Sequence, residues 1–480
     1  MRSIATEVLV VGSGAGGATT ACRLAEAGRQ VLVVEEGPWV DRDRHEPFSL
    51  PEMASQYRHR GGAAALGLPP IAYAEGRCVG GSTEINSGLW HRLPGDLAEG
   101  WRREYRIDEF SSAVLDAHAA NVEADVGVAS IPGAPPRSSE LLEDGAERLG
   151  WRSMEFPRVF AYDERGRGTK QTMTRTLLPR ALAAGAEVLP DTRVARLLVD
   201  RDRPRGTRSR TTGARARVTH PDGATEEVRI DAEHVFVCGG AIQSPNLLQR
   251  SGVRRRIGRG LKLHPTIKVA ARFPEPVDHG DVPMHRITEF SPHLTIGGSI
   301  SRRGHVAMAL AESGAVVDEA AMEHWEDIAV YYAAIRSEGS GAVVAVPGLE
   351  SPVVAYHLTP GDMSRLTRGL VHLGELLLAA GALELYPSVI GGGVARRPAD
   401  LHAWWDRVTP STANLMTIHL TSSIRMGEDR RRAGADSFGR VHGWANLYVN
   451  DASLLPDAPG VNPQAGIMAI ADRNAAHFLS

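Results

Sequence analysis

The sequence predicts an α/β protein of two interleaved parts, a parallel-sheet domain and a discontinuous second domain built on an antiparallel sheet and helices. Three observations predict it. Val8–Glu36, VLVVGSGAGGATTACRLAEAGRQVLVVEE, reads as strand, glycine turn, helix, strand and carboxylate. A second strand–glycine–helix junction follows at His234–Gly252, and two blocks without nucleotide motifs, 94–187 and 273–412, separate these signals. The expected division is therefore 1–93, 188–272 and 413–480 for the first domain and 94–187 and 273–412 for a substrate domain.

The opening unit is Rossmann-like. Gly12, Gly14 and Gly17 form G-x-G-x-x-G: the first permits a tight turn, the second lets backbone approach a pyrophosphate, and the third lets the helix sit close to the sheet. A helix from about Ala15 to Ala27, stopped by Gly28, turns its N-terminal amides and positive dipole end to the phosphates. Glu35 closes the second strand about 20 residues on, where an acid accepts hydrogen bonds from a ribose diol, with Glu36 its rival. These residues predict a dinucleotide and leave FAD and NAD both open.

Composition bounds the rest. The chain has 480 residues, with 54 Lys plus Arg against 57 Asp plus Glu, a formal charge of −3, and no single-sign block suited to nucleic acid. No uncharged apolar stretch reaches membrane-spanning length and the first strand begins within ten residues of Met1, so a soluble cytoplasmic protein is expected. Cys22, Cys78 and Cys238 lack C-x-x-C spacing, which indicates neither a disulfide framework nor a zinc site.

Further along, Tyr73–Arg92 is a glycine and small-polar loop in which Gly80, Gly81 and Gly88 allow close approach, while Ser82, Thr83 and Asn86 offer short hydrogen-bonding groups. A strand at Val194–Val199 leads into a charged hairpin, Arg201–Arg215, expected as an exposed arm. In the helix after Gly239–Gly240, Pro245 is expected in the first turn, where a missing N–H is tolerated. Arg286–Ile300 alternates as a strand, Met363–Ala380 has helical spacing, and Trp325, Tyr331 and Tyr332 suggest core packing or an aromatic-lined pocket.

The last segment carries the chemistry. His419 begins HLTSSIRMG, and Asn462 lies in a Pro/Gly-rich loop, DASLLPDAPGVNPQAGIMA. Removing hydride from a carbinol carbon needs a base for the hydroxyl proton, and histidine titrates near pH 6.5. Asn462 is expected to hold the oxygen. His264 and His442 are the other loop histidines.

Four segments together resemble the glucose-methanol-choline (GMC) oxidoreductase family of FAD enzymes. GRCVGGSTEIN resembles the family's first signature, GGAIQSPNLLQRSG its second, and NLYVNDASLLPDAPGVNPQAGIMAIADR its C-terminal flavin segment. The resemblance implies FAD as cofactor, with Gly12, Gly14, Gly17 and Glu35 at the ADP portion and Val194 contacting adenine through its backbone. Gly81, Ser82 and Asn86 would line the isoalloxazine side, Arg77 would also bind the cofactor, Asp451 would hold the ribityl-pyrophosphate region, and Asn462–Pro463 would lie near the pyrimidine edge. His419 and Asn462 match the family's catalytic pair. The family's Gly-Thr after that histidine is Ser422–Ser423 here. Ile85 stands where members with covalent FAD carry histidine, so dissociable FAD is expected. ITEFSPHLTIGGSIS and GALELYPSV resemble the long-chain alcohol oxidase branch, whose cysteine-rich loop has no counterpart around Arg165–Lys170; members acting on amino-sugar primary alcohols share the family. The implied activity is oxidation of a small-molecule alcohol to a carbonyl compound, with oxygen or an electron carrier as acceptor. A hydroxynitrile lyase using His419 as base and a non-catalytic nucleotide-binding sensor are the alternatives.

Overall fold

The computed structural model describes residues 2–41, 44–200, 207–277, 284–314 and 322–480; the start of the expected hairpin, 201–206, lies outside the described residues. The apolar run Val8–Val11 ends the strand Arg2–Val11, which lies inside a seven-stranded sheet between parallel partners Val31–Val34 and Thr225–Val237. Val8, Leu9 and Val10 are fully buried, as a strand covered on both faces requires. The helix Ala15–Glu26 crosses over this sheet and ends just before Gly28, whose φ is +80°. Leu447–Val449 joins the far side of Thr225–Val237, which brings the C-terminal segment beside the opening strand.

Of the expected arm's described part, Thr207, Arg208 and Arg210 are exposed, but from Thr211 on the chain is a strand of the first sheet. Thr211–Thr219 pairs antiparallel with both Thr192–Val199 and Thr225–Val237, and one face of it is core: Ala214, Ala216, Val228 and Ile230 are fully buried. Arg215, Arg217 and Arg229 take the opposite face, so the charge-rich composition hides a period-2 pattern.

A nine-stranded sheet forms the second layer. Its order is Ala63–Ala65, Ile71–Tyr73, Leu415–Thr417, Thr266–Arg272, Ile328–Ile335, Leu294–Gly298, His285–Ile287 and Ser153–Glu155, with Glu384–Pro387 also on Thr266–Arg272. Its pairs are antiparallel except Ile71–Tyr73 with Leu415–Thr417. Ala63–Tyr73, Thr266–Arg272 and Leu415–Thr417 come from segments expected with the first domain, so the chain crosses between the sheets at all three places. The expected strand Arg286–Ile300 is two strands joined by a turn through Pro292. The helix Pro360–Ala379, held at its start by a Thr359–Asp362 capping box, covers one face of this sheet. Tyr331 and Tyr332 point to opposite faces, as successive strand residues must: Tyr331 is buried and its hydroxyl donates to the Ser138 carbonyl at 3.1 Å, while Tyr332 lines a cavity. Among the described residues no helix is long and apolar enough to cross a membrane.

Pro245 lies inside the helix Gly240–Arg250, not in its first turn. Its missing N–H leaves the Ala241 carbonyl without an intrahelical donor. The Ser423 hydroxyl fills that position, donating to Ala241 O at 2.6 Å. Ser422–Ser423, the departure from the family pattern, therefore contributes the partner that an interior proline requires.

Candidate active site

A cavity of about 510 Å³ runs from the Gly12–Gly16 turn, past Gly81–Ser82, to His419 and Asn462, and ends on the second sheet. The glycines shape its first end. Gly12 has φ +102°, and a Cβ there would lie 2.4 Å from Cys238 O; one on Gly17 would lie 2.0 Å from Gly12 O. At Gly14 the nearest atom to a Cβ is 3.9 Å away, so this position is open to the cavity. Gly16, which the motif does not single out, fits as tightly as Gly17: its Cβ would stand 2.0 Å from Asn450 O. That contact docks the C-terminal segment on the crossover helix.

Glu35 is buried and lines the cavity. Its carboxylate accepts from Ser13 N–H at 3.0 Å, Ser13 Oγ–H at 2.8 Å and Gly37 N–H at 2.9 Å. With about four acceptor positions on a carboxylate, one remains toward the cavity. Burial pushes its pKa up against these donors. Glu36, its rival, also lines the cavity but is engaged by Arg58 through two bonds, 2.9 and 3.2 Å, and by Arg77 at 3.4 Å. Arg77 is thus a partner of Glu36, half exposed and outside the cavity wall. Val194 lines the same end from the strand Thr192–Val199.

Asp451 differs from expectation in its chemistry. Its carboxylate accepts from Gly240 N–H at 2.8 Å, Ser244 Oγ–H, Ser453 N–H at 2.8 Å and Ser453 Oγ–H at 2.5 Å. All four acceptor positions are occupied, so the side chain locks the second glycine–helix junction to the C-terminal segment. Ser82 and Asn86 flank the middle of the cavity: Ser82 Oγ accepts from Gly76 N–H at 3.0 Å, and Asn86 Nδ2 donates to Gln464 Oε1 at 2.6 Å. The loop expected to be irregular contains a short helix, Ser82–Ile85. Ile85 lines the cavity and offers no nucleophile.

At the chemical end the structure brings His419 and Asn462 together, with Asn462 Nδ2 3.4 Å from His419 Nε2, and Pro463 follows at the start of the helix Gln464–Leu479. It also brings in His264, which is buried and not on a free loop: its Nδ1 is 3.0 Å from His419 Nδ1. Gly460 N–H donates to His264 Nε2 at 3.0 Å. A neutral His264 therefore carries its proton on Nδ1, directed at His419, and His419 at rest carries its own on Nε2. Burial pushes the His419 imidazole down to about 4 and His264 well below the usual range, so both rings are neutral at pH 7. His442 lies elsewhere, its Nε2 2.9 Å from the Gly427 carbonyl. The motifs miss His264 because its place depends on a long-range pairing of Lys262–Leu263 with Leu420–Thr421.

Glycine cradle, buried acid and paired histidines define an oxidoreductase built on a dinucleotide fold. The chain matches the family model for GMC oxidoreductases over residues 7–266 and 347–471, and it belongs to that family, whose members act on CH–OH donors. It is 40% identical to an uncharacterized GMC-type oxidoreductase of Sinorhizobium fredii, over 99% of this chain and 94% of that protein. A long-chain-alcohol oxidase of Arabidopsis thaliana is 27% identical over 98% of this chain and 66% of its own length. A paromamine 6'-oxidase of Streptomyces fradiae is 25% identical over 98% and 90%. The solved structure of a pyridoxine 4-oxidase from Mesorbium loti shares the fold, with TM-score 0.72, 19% identity and coverage of 98% of this chain and 99% of that one.

Proposed function

We propose that this chain oxidises an alcohol to a carbonyl compound with dissociable FAD, His419 taking the hydroxyl proton and Asn462 holding the oxygen. The observation that carries the reading is one continuous cavity joining the Gly12–Gly16 cradle to the His419–Asn462 pair. The residues fit FAD: a Cβ-free approach at Gly14, helix N-terminal amides, a buried Glu35 with one acceptor position free, and the Val194 strand. Bound there, FAD supplies the hydride acceptor, to be reoxidised by oxygen or an electron carrier. The first sheet then serves the nucleotide, and the second, which adds Ile71–Tyr73, Thr266–Arg272 and Leu415–Thr417 to strands from 94–187 and 273–412, the substrate; three buried free thiols suit the cytoplasm.

The protein's own part is proton handling. His419 Nε2 accepts a proton only when the ring proton sits on Nδ1, where it donates to His264 Nδ1. His264 then carries its proton on Nε2 and the Gly460 amide loses its acceptor. That exchange costs about 1–3 kcal/mol, the range for a donor left without its acceptor, small beside a chemical barrier. Once His419 takes the hydroxyl proton, His264 Nδ1 supports the imidazolium and Asn462 Nδ2 remains beside the alkoxide oxygen. Anaerobic mixing of the FAD-loaded protein with primary alcohols tests the proposal: bleaching of the flavin is expected. Release of cyanide from a cyanohydrin without bleaching would replace it with a lyase, and binding without turnover with a sensor.

A further inference from the structure

The substrate end of the cavity carries two cations that the fold does not pair. Strand register sets Lys268 opposite Tyr332, Tyr332 opposite Gly297, and Gly297 opposite Arg286, so the four occupy one row on one face of the second sheet. At about 4.8 Å between strands the row spans about 14 Å, a distance that two long side chains cover from either end. Gly297 makes the row passable, because a Cβ there would stand 2.8 Å from the Tyr332 hydroxyl. Lys268, Tyr332 and Arg286 all line the cavity.

Among the described residues no carboxylate lies within 4 Å of Lys268 Nζ or the Arg286 guanidinium. Lys268 Nζ has no hydrogen-bond partner, Arg286 Nη2 reaches only the Met154 sulfur at 3.5 Å, and Arg286 Nε is buried with none. The guanidinium stands 4.9 Å from the centre of the Phe156 ring. A charge held in a cavity without an anionic partner is costly, and the contacts of Arg286 with Met154 and Phe156 supply no counter-charge to offset it. Glu312, the carboxylate of this end, is more than 4 Å from Lys268 and leaves an excess of one positive charge. His91 stands beside this end of the row, edge-on against Phe156 with ring centres 3.7 Å apart, and both of its ring nitrogens are buried without a partner among the described residues.

We infer that the substrate is an alcohol whose far end bears an anionic group, a carboxylate or a phosphate, received by Arg286 and Lys268. The inference rests on the reading of His419 as the site of alcohol oxidation. A wholly apolar chain would leave both cations without acceptors, and an amino alcohol would add a third positive charge. A planar guanidinium takes either anion through two parallel hydrogen bonds.

Four alcohols of one chain length test it on the FAD-loaded enzyme: γ-hydroxybutyrate, hydroxybutyl phosphate, butanediol and aminobutanol. The expected order of kcat/KM for flavin bleaching has one of the two anions first, which separates carboxylate from phosphate, and aminobutanol last. Arg286→Gln and, independently, Lys268→Met should each reduce the anionic-to-neutral ratio about ten- to a hundredfold, the effect of a charge-assisted hydrogen bond. Butyrate and inorganic phosphate, which cannot be oxidised, give a readout apart from turnover: one of them should raise the thermal midpoint of the wild type and fail to raise that of Arg286→Gln. Butanediol or aminobutanol matching the better anion would overturn the anionic end and leave the alcohol reading intact. An Arg286-dependent butyrate or phosphate shift with no bleaching by any alcohol would uphold the anion site and overturn the alcohol reading. No shift with either probe and no preference for an anion would overturn the inference.

Discussion

At the scale of single residues, the site is governed by which hydrogen-bond positions are already taken. Glu35 has one acceptor position left, so Glu35→Gln acts twice: it removes the ribose acceptor and turns an NH2 group toward Ser13 or Gly37 donors. FAD affinity should fall by about 1–3 kcal/mol, with a similar loss of apoprotein stability. Flavin release and denaturant unfolding measure the two separately; lost stability with unchanged FAD affinity would transfer the ribose contact to Glu36. His419 is a base held down to about 4 by burial, which sets the sign of the pH dependence. The neutral ring is active, so the reduction rate is level through neutral pH and falls only as pH drops through about 4. In His419→Ala that acid limb should vanish. A limb centred near 6.5 in the wild type would mean that the ring is not desolvated as the structure places it. The glycine cradle and His419 were legible because each depends on a short run of neighbours. His264, Lys268 and Arg286 were not, because strand register, which no local spacing reveals, brings them to the cavity.

At the scale of elements, the opening strand–turn–helix–strand was readable from apolar periodicity and glycine placement, and it folds as read. The strand Thr211–Thr219 is not legible from a charge-rich composition because its order lies in alternation: Arg215 and Arg217 occupy one face and Ala214 and Ala216 the other. Pro245 was misplaced because the helix begins at Gly240 and tolerates the proline through a partner 182 residues away, Ser423. Ser423→Ala should therefore lower stability by about 1–3 kcal/mol, the range for a buried carbonyl left without a donor. Denaturant midpoints check this, and the Pro245→Ala background should recover much of the loss, because it restores the N–H that the hydroxyl replaces. An equal loss in both backgrounds would show that Ser423 acts some other way. Gly16→Ala should be far more damaging than Gly14→Ala, since its Cβ would overlap Asn450 O whereas Gly14 has room.

At the scale of the whole molecule, neither sheet holds a complete site. The first contributes the cradle and Glu35, the second contributes Lys268 and Arg286, and the C-terminal segment carries His419 and Asn462 across both. A ligand filling that cavity should stabilise the chain by mass action, about 2.7 kcal/mol at a hundred times its Kd, and the thermal midpoint should rise with added FAD. A midpoint indifferent to FAD would show that the folded chain does not bind it. The central claim is that His419 takes the proton while the glycine cradle holds FAD, and rapid anaerobic mixing with an alcohol substrate tests it most directly by comparing wild type, His419→Ala, Asn462→Ala and His264→Ala. The account predicts that His419→Ala retains FAD and reduces it about 100- to 10,000-fold more slowly, with a smaller loss in Asn462→Ala. Normal reduction in His419→Ala, together with its abolition in His264→Ala, would contradict the assignment.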